Sequence, residues 1–135
     1  MERDVTGNDS TKRFLIYHLP ALLYAGLIIA ASSIPDLKIP KIIDFQLDKV
    51  VHFIEYALFA FLTYRSLVNL SQRMSHNRAL VFSSILIIGF AMMDELYQKF
   101  VPGRDSGLGD LAMDLVGAAL VLILLWIRGK SVKCQ

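Results

Sequence analysis

Apolar residues fall into four long runs, at residues 14–33, 50–67, 79–100 and 111–127, separated by short polar or turn-forming stretches. Each run is close to the ~20 residues that carry a helix across ~30 Å of hydrocarbon. Lipid offers the backbone no hydrogen-bond partners, so a spanning segment must satisfy its own N–H and C=O groups, which a helix does within itself. The alternation expected of a barrel strand is missing from all four runs. The pattern therefore predicts an all-α fold: a four-helix transmembrane bundle over residues 14–128, with a polar N-terminal tail at 1–13 and a C-terminal tail at 129–135.

The breaks between runs carry the usual punctuation. Ile34-Pro35-Asp36 and Ile39-Pro40-Lys41 end the first run, residues 70–78 are polar, and Val101-Pro102-Gly103-Arg104 reads as a turn. Lys12 and Arg13 precede the first run and Ala30-Ala31-Ser32 lies near its end, as in a secretory signal. The run is longer than the 7–15 residues of a signal core, and a polar tail comes before it, which favours a retained helix.

Charge orients the bundle. Arg3, Lys12, Arg13, Arg65, Arg73, Arg78, Arg128, Lys130 and Lys133 fall on one side, and Lys38, Lys41, Lys49, Lys99 and Arg104 on the other. This split of nine to five predicts that both termini are cytoplasmic. The lipid bilayer is then expected as its first partner. The acidic residues are more one-sided. Apart from Glu2, Asp4 and Asp9, all of them fall on the predicted outer half: Asp36, Asp44, Asp48, Glu55, Asp94, Glu95, Asp105, Asp110 and Asp114. The positive-inside rule does not ask for this, because acidic residues contribute little to orientation.

Composition agrees with the pattern. Of 135 residues, 55% are hydrophobic, and the net charge of +2 implies no basic face for nucleic acid. The single cysteine, Cys134, allows no internal disulfide and has no metal-site spacing.

Candidate chemistry gathers at the outer ends of three helices. On the second, Asp48, His52 and Glu55 stand at i, i+4 and i+7 and share a face. Glu55 lies about 10 Å along the axis from Asp48, inside the hydrocarbon boundary, where an acid is expected to face the bundle interior. On the third, Glu95 and Gln98 share a face with Asp94 beside them; on the fourth, Asp110, Asp114 and Gly117 do so. The short turn between these two helices would deliver Arg104 among the carboxylates, where its planar fork can bridge two acids or grip a phosphate. The expectation is one outward-facing polar pocket.

Several readings of these residues stay open. Buried polar groups can simply tie helices together, and Asp110 can cap the fourth helix. Asp48 and His52 have the i, i+4 spacing of metal ligands, with Glu55 or Glu95 to complete a set. Yet His52 is the only histidine at this end and Arg104 competes for the acids, so no metal is assigned and the cofactor is left open. Acid–base work would fall to His52, Glu55 and Glu95, and substrate binding to Asp48, Gln98, Arg104, Asp110 and Asp114. Serine and cysteine nucleophile motifs are missing. Phe53, Tyr56, Tyr97 and Phe100 would serve as interfacial anchors or as a wall for a lipid tail. His18 is expected to hydrogen-bond within the bundle, and His76 to be solvated in a loop.

Two blocks carry a family resemblance. The first is Asp48-Lys49-x-x-His52-Phe53-x-x-Tyr56; the second is Glu95-x-x-Gln98-x-Phe100-x-Pro102-x-Arg104, continued by Asp110-x-x-x-Asp114-x-x-Gly117. They resemble the VanZ-like family of small bacterial membrane proteins, and the likeness extends from the first helix to the last. Asp114 occupies a place where the family has Asn or Asp. Tyr97 stands where some relatives have His, which argues against a role needing a second histidine. The family's founding activity is low-level resistance to the glycopeptide teicoplanin, so the resemblance implies a role in the cell envelope. The expected function is binding, with or without modification, of a lipid-linked or amphiphilic envelope molecule. The alternatives are a non-enzymatic helper or complex subunit, or a proton- or ion-coupled transporter; a homo-oligomer is compatible with all three.

Overall fold

A computed structural model gives the backbone of residues 5–35, 44–104 and 107–131, and the side chains of 9–35, 49–104 and 107–130. Apart from turns at 33–35, 69–75, 99–104 and 107, the described residues are helical, and they include no strand. Helix α1 (Val5–Arg13) runs through a π-helical turn (Phe14–His18) into α2 (Leu19–Ser32); α3 (Asp44–Val68), α4 (His76–Gln98) and α5 (Leu108–Ser131) follow. The polar residues from Val5 onward thus extend the first helix.

Local sequence explains the irregularities. Pro20, at the start of α2, has no N–H to return to the preceding turn, and the ladder widens there, with the Leu19 N–H donating to the Phe14 carbonyl five residues back. Ser75 caps α4, its hydroxyl accepting from the Arg78 N–H at 3.3 Å. Between α4 and α5 the Arg104 N–H reaches the Val101 carbonyl at 3.3 Å. Pro102 and Gly103 occupy the middle of that turn, and Gly103 takes φ +75°, a conformation costly for any residue with a Cβ.

The bundle is apolar outside as well as inside. Leu22, Leu27, Ile54, Val81, Ile85, Met93 and Leu124 are all exposed, a pattern suited to lipid and not to water. Three helices among the described residues are long and apolar enough to cross a membrane: Asp9–Ser32, His76–Gln98 and Leu108–Lys130. Helix α3 has the length, at about 37 Å, but carries His52, Glu55, Thr63 and Arg65. It occupies the centre, packing on α5, α4 and α2.

Ile28, Tyr56, Phe59, Ala60, Ile87, Ala91 and Ala118 form the core. The small residues let helix backbones approach. Gly117 is the extreme case: a Cβ there would collide with the Phe53 carbonyl of α3.

Candidate functional site

Helices α2 and α4 end, and α3 and α5 begin, at one end of the bundle, which we call the acidic end. Four turns of helix meet there. Helix α3 presents Lys49, His52, Glu55 and Tyr56; α4 presents Asp94, Glu95 and Gln98; α5 presents Asp110 and Asp114; α2 adds Ser32.

Contacts join these side chains across helices. Asp114, buried, meets His52, with its Oδ1 3.0 Å from Nδ1. Lys49 Nζ donates to Asp110 Oδ1 at 3.0 Å, one α3 turn closer to the loop. Both pairs cross the same α3–α5 seam, held close by Gly117. On the α2 side, the Gln98 amide donates to Asp94 Oδ2 at 3.0 Å and to Ser32 Oγ at 3.1 Å. The Tyr97 hydroxyl and Ser33 Oγ, 2.9 Å apart, close the rim between α2 and α4.

Some polar atoms inside this network have no hydrogen-bond partner among the described residues: Asp94 Oδ1, Glu95 Oε1 and the hydroxyl of Tyr56. Glu55 is half-buried, within electrostatic reach of His52, Asp94, Asp114 and Arg104. Glu95 is within reach of Asp110, Asp114, His52 and Lys99. Five carboxylates thus lie at one end of the bundle, a costly arrangement where dielectric is low. Such a cluster can hold protons, bind a cation, or position a group for acid–base exchange. No group of three or more His, Cys, Asp or Glu among the described residues is arranged to hold a metal ion.

The structure brings His52, Glu55, Glu95, Gln98, Asp110 and Asp114 together. Asp48 lies one α3 turn before His52, and its side chain is outside the described residues. Arg104 is half-buried and makes no ion pair within 4.0 Å among the described residues; its charge reaches Glu55. The ion pairs seen at this end are Lys49 on Asp110 and His52 on Asp114. Asp110 stands in the first turn of α5, where its charge suits the helix dipole, and its Oδ1 takes Lys49.

Sequence reasoning passed over Lys49, Asp94, Ser32 and Tyr56 as members of the site. Asp94 had a usable signal, its i, i+4 spacing to Gln98. Tyr56 is wholly buried among core aromatics and acids, so it is neither an interfacial anchor nor an exposed wall. Phe100, by contrast, is 78% exposed. At the other end, His18 Nδ1 lies 2.7 Å from Ser66 Oγ. His76 is not solvated in a loop: it opens α4, partly buried, with Nδ1 2.7 Å from the Tyr64 hydroxyl.

A family model described as VanZ/LLP1 matches residues 5–129, from the start of α1 to two residues before the end of α5. No curated protein and no solved structure matches the chain.

Proposed function

The chain belongs to the VanZ/LLP1 family, and on that footing we propose that it is a four-span protein of the bacterial cytoplasmic membrane. Its acidic end faces outward and binds a lipid-linked or amphiphilic molecule of the cell envelope. The observation that carries this reading is the set of buried carboxylates at one end of the bundle, some with an oxygen that has no partner among the described residues, more than helix association requires. Arg104, half-buried at the edge, meets an anionic part of the head. His52 and Glu95 are the groups able to move a proton if the bound molecule is modified. Exposed Met92, Met93 and Leu96 on α4 offer an apolar surface beside the acids for the tail.

The reading is tested by complementing a deletion strain and following envelope lipids and sensitivity to lipoglycopeptides. Arg104→Ala and Glu95→Gln should each abolish the gene's effect at normal membrane abundance. Arg104→Lys should rescue poorly, because a point charge cannot reproduce the guanidinium fork. Full complementation by both Arg104→Ala and Glu95→Gln would reduce the cluster to a structural one. Orientation is read from Ser71→Cys and Ser106→Cys in a Cys134→Ser background: an impermeant thiol reagent should label position 106 from outside and not position 71.

A further inference from the structure

The three histidines of the chain are each held through Nδ1, but not by the same kind of group. His18 Nδ1 meets the Ser66 hydroxyl and His76 Nδ1 the Tyr64 hydroxyl, both at 2.7 Å. A hydroxyl can donate or accept, so it leaves the imidazole its choice of tautomer. His52 Nδ1 instead lies 3.0 Å from a carboxyl oxygen, Oδ1 of Asp114. An ionised carboxylate only accepts. Imidazole is ordinarily the more basic of the two groups, so the shared proton sits on Nδ1 and Asp114 accepts it. Nε2 is then the nitrogen that carries the lone pair of the neutral ring.

The surrounding structure holds this geometry. His52 is 8% exposed and Asp114 2%. Gly117 follows Asp114 by one turn of α5, and its bare Cα lies against the backbone of Phe53, the residue next to His52. Backbone contact beside the pair fixes the distance across which the two side chains meet. Helix association alone does not account for the pairing. Burying two ionisable groups costs about what their attraction returns, and an apolar pair of similar volume would hold the seam as well. An apolar partner could not orient an imidazole.

We infer that Asp114 is a positioning residue, which holds His52 in the tautomer whose Nε2 exchanges a proton with the bound molecule. The inference rests on the proton-transfer role given to His52 above. It moves Asp114, expected from the sequence to bind substrate, into the support of His52. In the step, Nε2 takes the proton of an O–H group of the bound molecule, and that oxygen keeps the electron pair. The imidazolium so formed lies against the Asp114 carboxylate and gives the proton back in a later step.

The test is nitrogen NMR of the full chain in neutral-detergent micelles, with histidine isotopically labelled, at alkaline pH where imidazole is neutral. Couplings within the ring report which nitrogen carries the proton, and His52→Gln assigns the His52 signal. His52 should carry its proton on Nδ1. Asp114→Leu removes the acceptor, so the proton should move mostly to Nε2, with His18 and His76 unchanged. The same variant should fail to complement a deletion strain at normal membrane abundance. A neutral His52 protonated on Nε2 in the unaltered chain overturns the inference, however the variants fold. Full complementation by Asp114→Leu overturns it too and leaves the pair a structural tie. Full complementation by His52→Gln overturns proton transfer through His52 and this inference with it, while amphiphile binding stands or falls separately with Arg104→Ala.

Discussion

The two ends of the bundle bury polar side chains in opposite ways. At the end formed by the close of α3 and α5 and the start of α4, contacts are mostly neutral or rest on aromatic faces. His18 pairs with Ser66 and His76 with Tyr64, both at 2.7 Å. Arg65 lies over Tyr17 at 5.2 Å, Lys130 over Trp126 at 3.5 Å, and Arg13 donates to the Asn69 carbonyl at 3.0 Å. His76 Nε2 has no partner there among the described residues, while its Nδ1 meets the Tyr64 hydroxyl. At the acidic end five carboxylates converge, and two keep an orphaned oxygen. Polar contacts between membrane helices average about 0.6 kcal/mol. The first end is built to that scale and reads as structure. The acidic end exceeds it, which is the physical ground for placing function there.

The comparison breaks most directly at Asp114. Asp114→Ala removes the carboxylate bonded to His52 in a buried seam and should cost about 3 kcal/mol in unfolding from detergent micelles. A loss under about 1 kcal/mol would put this pair on the same footing as those at the opposite end. Glycines sharpen the contrast at the next level. Gly117→Ala drives a methyl into the Phe53 backbone, which cannot swing aside, and should cost about 2 kcal/mol by the same measurement. For Gly129→Ala the nearest atoms belong to the His76 ring, which can rotate at the expense of its Tyr64 contact, so about 1 kcal/mol is expected. Smallest is Tyr64→Phe, which removes that hydrogen bond alone. It should cost about 0.6 kcal/mol and leave complementation of a deletion strain intact.

The helices were legible because hydrocarbon demands length and apolarity. The four runs at 14–33, 50–67, 79–100 and 111–127 became the four long helical legs. Their true ends reach further into polar sequence, to Asp44 on α3 and to His76 behind the Ser75 cap, because capped or bundled helices need not stop where hydrophobicity does. Helical offsets also placed His52 with Glu55, and Asp110 with Asp114, on shared faces. What the offsets could not supply was the choice of partner across helices. Lys49 was counted as a flanking charge, yet the close α3–α5 seam lays it on Asp110. Arg104 was put at the centre, yet the turn holds it at the edge. His76 was read as a loop residue because the hydroxyl that holds it lies a full connection away, on α3.

Proteins hold strained or unsatisfied groups at the places they use, at some cost in stability. Glu95 is such a group, and the thermal unfolding midpoint of Glu95→Gln in neutral detergent checks it. The substitution replaces a buried carboxyl group near Asp110 and Asp114 with an amide, which gives those acids a donor. The midpoint should equal or exceed that of the unaltered chain. A clear fall in the midpoint would mean that the Glu95 carboxylate is itself holding the bundle together, and would contradict the claim that this end is kept for binding.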